Sequence, residues 1–203
     1  MRAEYLFALL PALPAVLVSR LAATPAGLPA GVREFTPTWE FEPFPGQTVV
    51  LNGTIEQVLA ELAQINPDYS PFAPAPAVHA MTDEGREQAK LFPADKVLCQ
   101  KDGWENVDYS QADVGIHYLR TVEGRPRLDP GPANCGRVSC GYQAAIWFCN
   151  DNTHEITIDS FAQIADMVDV IEWYCTTRWR HKYHGQAFHP TDNWNVYIHK
   201  DTC

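Results

Sequence analysis

The cysteines are the feature that most limits how this chain can fold. All six lie from position 99 onward in a chain of 203 residues, at Cys99, Cys135, Cys140, Cys149, Cys175 and Cys203. An even number of cysteines behind an export signal is typical of disulfide frameworks that form in an oxidising compartment. Because no two of them have the C-x-x-C spacing, we expect structural disulfides rather than a metal site or a redox pair. The sequence leaves the pairing of the six open.

The first residues predict export. Arg2 precedes the apolar run Leu6–Val18, and small residues follow it. The run is too short to span a bilayer and contains two prolines, so it suits a cleaved signal better than an anchor. We therefore expect a signal peptide over 1–23, with cleavage within 19–26, and a secreted, extracellular product without a membrane span. The alternative is a buried N-terminal helix.

Composition and missing motifs exclude several function classes. The chain has 15 Lys and Arg against 25 Asp and Glu, a formal charge of −10, which disfavours binding to nucleic acid or to anionic lipid. It contains no Walker loop, GxGxxG, HExxH or GxSxG motif. We expect no cofactor, no metal and no catalytic activity. A hydrolase with two carboxylates is the alternative, because the sequence does not fix the distance between acidic side chains.

Residues 24–95 contain most of the prolines, and they predict an extension, a prosegment or a lid. The stretches TPAGLPAG and SPFAPAPA are typical of extended linkers. Between them, Thr48–Leu51 predicts a short strand, and Thr54 with Gln57 predicts a capping box at the start of one helix. Asn52 begins the only N-glycosylation sequon, which we expect to be exposed at this helix start.

Residues 96–203 predict the cysteine-rich domain. Ser110 is expected to begin a helix whose apolar face carries Ala112, Ile116 and Leu119. The segment Arg137–Cys149 alternates like one strand. That would place Cys140 and Cys149 on opposite faces, unless Gly141 forms a bulge or a break.

A second capping box, Ser160 and Gln163, predicts the most clearly amphipathic helix of the chain. Glu155–Ile158 before it and Trp194–Ile198 after it predict strands. The order of elements favours an α+β fold, an α/β sandwich in which helices pack on one face of an antiparallel sheet. The apolar stripe of the helix is Phe161, Ile164, Ala165, Val168, Ile171 and Cys175, and the expected outer face is Asp166, Asp169 and Glu172.

One dense basic segment follows that helix. As a possible partner surface we select Arg178, Trp179, Arg180, Lys182 and Tyr183. Such a surface suits an anionic partner, an acidic polysaccharide or a receptor loop, with the aromatic rings adding stacking. The alternative is a solvated loop that balances the acidic face of the preceding helix.

Histidines and tryptophans suggest two further sites. The histidines His181, His184, His189 and His199 suit a metal only if their segment is helical, so we expect adventitious surface histidines instead. Trp147 and Trp173 fall on expected outer faces, where exposed rings would stack on sugars. Core tryptophans are the commoner case.

These residues together resemble a group of small secreted, effector-like fungal proteins of unknown function, and more distantly the smut-fungus killer toxins (killer protein four). The second likeness lies in a helix ending at Cys175, a loop, and a last strand before Cys203. It implies an α/β sandwich and inhibition of calcium channels through a basic surface. The segments that carry the first likeness are Leu51–Tyr69, Gly115–Leu119, Asn134–Cys140, Ala144–Ile146, Cys149–Asn152, Ile164–Asp166, Gly185–Phe188 and Trp194–Val196.

The sequence therefore predicts a secreted, disulfide-rich, non-enzymatic protein that acts outside the cell as an effector or toxin-like binder. Its partner would be an extracellular protein or a cell-wall glycan. The alternatives are a glycan-binding or glycan-hydrolysing protein and a calcium-channel-blocking killer toxin. The net charge of −10 counts against the channel blocker.

Overall fold

The computed structural model describes residues 31–73, 83–176 and 181–203, except for the side chains of 83 and 84. The predicted signal peptide and the linker TPAGLPAG up to residue 30 lie outside these ranges, as do Arg178, Trp179 and Arg180. Within the described ranges, no helix is long and apolar enough to cross a membrane.

The described residues form short runs of strands separated by helices. The strands are β1 (Arg33–Phe35), β2 (Thr38–Phe44), β3 (Gln47–Asn52), β4 (Val97–Cys99), β5 (Val107–Asp108), β6 (Arg127–Leu128), β7 (Asn134–Gly141), β8 (Ala144–Asn150), β9 (Ile156–Thr157), β10 (Lys182–Tyr183), β11 (Gly185–Phe188) and β12 (Trp194–Lys200). The helices are α1 (Ile55–Ile65), α2 (Asp83–Leu91), α3 (Tyr109–Thr121) and α4 (Ala162–Cys175).

Six strands form the main sheet, in the order β1-β7-β8-β12-β11-β4. β1 runs parallel to β7, and all the other neighbours in this sheet are antiparallel. Successive side chains of a strand point to opposite faces, so Ile146 and Phe148 join the core formed with the four helices, whereas Trp147 lies in a second cluster on the other face. The predicted α+β class, with helices on one face of an antiparallel sheet, is confirmed.

The single strand over Arg137–Cys149 is wrong, and the alternative of a break at Gly141 is confirmed, because the segment is a hairpin whose first strand ends at Gly141. β7 and β8 are joined by a two-residue turn at Tyr142 and Gln143, and the register shifts between Arg137 and Ser139. The reversal of the chain changes the side-chain parity. Cys140 and Cys149 therefore lie in the same cluster instead of on opposite faces.

The first predicted helix start is confirmed and the second is wrong. At α1 the capping box forms, and the Thr54 N–H donates to Gln57 Oε1 at 2.9 Å. At α4 the helix begins after Phe161, and Gln163 Oε1 instead accepts the N–H of Asp159, also at 2.9 Å. Gln163 thus satisfies a backbone donor that lies before the helix.

The expected outer face of α4 is also corrected. Asp169 is only 5% exposed, and Glu172 is half-buried. The cause is that α4 has neighbours on more than one side, since α2 and α3 both pack against it. The apolar stripe lies where it was predicted, with Ile164, Val168 and Ile171 fully buried.

The described part of residues 24–95 is packed rather than linker-like. Trp39 in β2 and Leu51 in β3 are buried in the main core, and so are Ile55, Val58 and Leu62 of α1. The helix is also tied to the sheet by polar contacts, because the Glu56 carboxylate accepts a hydrogen bond from the Ser139 hydroxyl at 2.5 Å. The two sequence regions thus share one hydrophobic core.

All six cysteines form disulfides, as predicted. The pairs are Cys99–Cys175, Cys135–Cys149 and Cys140–Cys203. The first joins the edge strand β4 to the end of α4. The second links the neighbouring strands β7 and β8, and the third fastens the last residue of the chain to β7.

Candidate functional site

Of the predicted basic surface, the structure describes two residues, and it exposes Lys182 but buries Tyr183. Lys182 is exposed in β10, and its ammonium lies 3.4 Å from the Asp108 carboxylate. Tyr183, the next residue, is fully buried, because alternate side chains of a strand point to opposite sides. Tyr183 therefore contributes nothing to a partner surface, and this part of the prediction is wrong.

Lys182 lies at the wall of a polar cleft of about 490 Å³. The cleft is bounded by the loop before β5, the start of α3, the turn between β7 and β8, and the end of β12. We call it the polar cleft, and its lining residues are Trp104, Glu105, Asn106, Asp108, Gln111, Gln143, Lys182 and Lys200.

The charged side chains of the polar cleft are paired with one another. The Lys200 ammonium donates to Glu105 Oε2 at 2.9 Å, and the two residues also form a backbone bridge. The hydrogen bond and charge of Lys200 lower the pKa of Glu105. With Lys182 beside Asp108, the four charges of the described lining residues balance, so these side chains carry no net charge.

Trp104 is held in place by aromatic contacts. Its ring stacks on Tyr197 and on His199, with centroids 4.9 Å away in both cases. The Lys101 ammonium lies 4.8 Å from the same indole ring. The ring is therefore a fixed wall of the cleft rather than a mobile side chain.

His184 fixes another wall residue. Its Nε2 accepts the Lys101 backbone N–H at 3.0 Å, so Nδ1 carries the proton and donates to Asn106 Oδ1, also at 3.0 Å. Burial lowers the pKa of His184, which favours this neutral form. The amide of Asn106 is thus oriented by a neutral imidazole.

The turn that supplies Gln143 has an unusual backbone. Tyr142 and Gln143 have φ angles of 51° and 70°, in the left-handed region that Asn and Gly adopt more readily. Tyr142 is nevertheless 69% exposed. Burial of the ring therefore does not offset the backbone strain at Tyr142.

The expectation that the four histidines are surface residues is corrected at one position. No group of three or more metal-ligating side chains occurs among the described residues. His199, however, is buried rather than a surface residue. It contacts the aromatic rings behind the polar cleft, and burial lowers its pKa.

The two tryptophans selected for sugar stacking behave differently. Trp147 is only 1% exposed, so the expectation of an exposed ring there is wrong. It lies on the face of the sheet away from the helices, as predicted, but is covered there and stacks on Tyr197 of the neighbouring strand β12. Trp173 on α4 is 44% exposed, with the Lys90 ammonium 5.5 Å from its ring.

A partly buried group of acidic side chains lies between α3 and α4. Arg120 of α3 donates to Asp166 and to Asp169 at 2.6 Å each. Burial raises the pKa of Asp169 to about 7, against the opposing effect of Arg120. Glu172 has its pKa raised to about 7 as well, first by burial and then by Asp169.

The described residues also line other cavities, two of which lie near charged side chains. One of about 290 Å³ lies between α2 and α4, next to Asp169. The other, about 650 Å³, lies between the β1–β2 corner and β6, with Arg125 and Arg127 at its rim. Both arginines already form ion pairs, with Asp159 and Glu155. The polar cleft remains the candidate because it unites the predicted Lys182 with a fixed aromatic wall.

Asn52 is exposed immediately before α1, where the sequon was expected. Its Oδ1 accepts the Thr38 hydroxyl at 3.2 Å, a contact between neighbouring strands. Glycosylation of this amide stays a prediction.

The architecture defines a disulfide-stapled α+β sandwich. No protein-family model, curated protein or solved structure matches the chain.

Proposed function

We propose that this chain is exported and acts outside the cell as a non-catalytic, effector- or toxin-like binding protein. The observation that carries the proposal is the complete pairing of its cysteines into three disulfides. Stable disulfides are rare in the reducing cytosol and typical of exported proteins. The sequence resemblance to secreted effector-like fungal proteins supports the same function.

The polar cleft supplies the binding surface in this proposal. Its wall is rigid, because Trp104 is stacked and Asn106 is held by His184. Preorganised side chains lose little conformational entropy on binding, which favours affinity.

The experiment is secretion of the full chain by a yeast host, followed by cell-surface binding of the labelled product. We expect protein in the medium and saturable binding to fungal or plant cell surfaces. Lys182→Glu should weaken binding about tenfold, since it places a negative charge beside Asp108. The matched control is Lys90→Glu, another exposed lysine beside an acidic partner, which should bind like the wild type.

Two results would contradict the proposal. One is a product that stays inside the cell with reduced cysteines. The other is a secreted product whose binding is not saturable, or whose catalytic turnover of a cell-wall polymer disappears when one acidic residue is changed.

A further inference from the structure

We infer that the polar cleft binds a short neutral oligosaccharide, and that the exposed Tyr142 at the adjoining hairpin tip is its stacking platform. This inference rests on the proposed function and adds a ligand class to it. It starts from the charges of the polar cleft, which form two internal pairs. A ligand without charge fits such a site better than an acidic or basic one, because it leaves both pairs intact.

The hydrogen-bonding groups of the polar cleft point to a polyhydroxylated ligand. Three carboxamides line it from three different elements: Asn106, Gln111 and Gln143. A carboxamide offers two N–H donors and a carbonyl acceptor, and a sugar hydroxyl both donates and accepts. Paired hydroxyls therefore match these amides, whereas an apolar ligand would leave them unsatisfied.

The aromatic groups supply the second element of sugar recognition. Trp104 forms one wall of the cleft, and Tyr142 precedes the lining residue Gln143 on the hairpin tip. Aromatic rings contribute large contact areas with little conformational freedom to lose. The cavity of about 490 Å³ falls within the range of small-ligand sites.

The local backbone preference of the turn does not explain the presence of Tyr142. A two-residue hairpin with both φ angles positive favours Asn-Gly, and here the residues are Tyr and Gln. An exposed aromatic side chain in this conformation costs stability without being buried. Backbone strain of this kind is found at binding sites, where the ligand contact compensates for it.

The variant Tyr142→Asn separates a role of Tyr142 in folding from a role in oligosaccharide binding. It removes the ring and places a residue that accepts the left-handed region. We expect the unfolding midpoint to rise by roughly 2–4 °C, while oligosaccharide affinity falls roughly tenfold. A purely structural role for Tyr142 would not produce both changes.

The binding assay is calorimetric titration of the full, oxidised protein with three probes. Chitotetraose and laminaritetraose are neutral and distinguish an N-acetylated sugar from an unmodified glucan. Tetragalacturonate is the anionic comparison. We expect one of the two neutral probes to bind, with weaker or no binding of tetragalacturonate.

Two further variants fix the position of the site. Gln111→Ala should weaken binding of the same probe without raising the unfolding midpoint. Trp173→Ala, which removes an exposed ring on α4 that does not line the polar cleft, should bind like the wild type.

Three results would overturn the inference: neither neutral probe binds, tetragalacturonate binds best, or Trp173→Ala abolishes binding while Tyr142→Asn retains it. These results leave the proposed function standing if the exported protein still binds cells saturably. Loss of saturable cell binding with intact oligosaccharide binding would instead contradict the proposed function and support the inference.

Discussion

On one face of the main sheet, Ile146 and Phe148 are covered by four helices. On the other face, the described segments that cover Trp147 and Tyr197 are the residue before β1, the loop of Trp104 and the last residues of the chain. The first face is buried mainly by aliphatic and aromatic packing. The second face contains the Cys135–Cys149 disulfide and Cys140.

The comparison of the two faces shows which contacts cover the second face in place of packed helices. Arg137 lies 5.5 Å from the Trp147 ring and donates to the Thr202 carbonyl at 2.9 Å, so it holds the terminal residues over the second face. The Cys140–Cys203 disulfide fastens the same residues covalently. A thin cover of this kind depends on cross-links, whereas the helical face depends on buried area.

The largest expected effect follows from opening the second face. The double variant Cys140→Ser, Cys203→Ser removes a cross-link between residues 63 apart in sequence and should lower the free energy of unfolding by about 4 kcal/mol. Chemical denaturation measures the loss. Hydrogen exchange should rise in peptides that contain Trp104 and Tyr197.

The matched control is Cys99→Ser, Cys175→Ser, which removes a cross-link between residues 76 apart. It should destabilise the protein by a similar amount, yet leave exchange around Trp104 and Tyr197 nearly unchanged. If both variants raised exchange there equally, the two faces would not be held independently.

The pH dependence of stability tests the burial of Asp169 and Glu172 on the helical face of the sheet. Because the folded pKa of Asp169 and of Glu172 is about 7, above the ordinary values of 3.8 and 4.5, the folded state binds more protons than the unfolded chain between about pH 4 and 7. The contribution of these two groups to the free energy of unfolding should therefore be greatest near pH 4. It should fall, on the order of 2 kcal/mol, as the pH rises to 7. The other groups that act on these two carboxyls are Arg86, Asp113, Arg120 and Asp166.

Asp169→Asn should flatten this dependence in urea unfolding measured from pH 4 to 8. The exposed Asp159→Asn is its control and should keep the wild-type slope. A stability that rises across this range in the wild type and not in Asp169→Asn would contradict the raised pKa of Asp169.

The smallest effect concerns a single hydroxyl on the second face. Tyr197 Oη is buried and has no hydrogen-bond partner among the described residues, so Tyr197→Phe should be neutral or stabilise the fold by up to about 1 kcal/mol. Tyr174→Phe is the comparison, since its hydroxyl donates to the Phe92 carbonyl at 2.8 Å, and it should cost about 1 kcal/mol. Thermal unfolding of both variants gives the answer, and a large loss for Tyr197→Phe would show that its hydroxyl is satisfied.

Local signals in the sequence were sufficient for much of the fold. The apolar period of α4 and the capping box at Thr54 and Gln57 predicted helices that exist, because both signals arise from neighbouring residues. A break at Gly141 was an open alternative, but the two-residue hairpin was not predicted, because Tyr142 and Gln143 are not residues that favour such a turn. The burial of Asp169 was missed as well, since it depends on α2 and α3 packing against the same helix.

The candidate site was less accessible to sequence reasoning. Lys182 was selected as part of a basic segment, but Asn106, Gln111 and Gln143 are far from it in sequence and carry no shared motif. Only the pairing of β10 with β5 and the path of the hairpin bring them together. A local pattern also gave no sign that Tyr183 points inward.

The most direct test of this account is disulfide mapping of the exported, non-reduced protein by peptide mass spectrometry, with thiol titration after denaturation. The account predicts no free thiol and three linked peptide pairs, containing Cys99 with Cys175, Cys135 with Cys149, and Cys140 with Cys203. Reactive thiols at most of these positions, or Cys203 linked elsewhere than to Cys140, would contradict it.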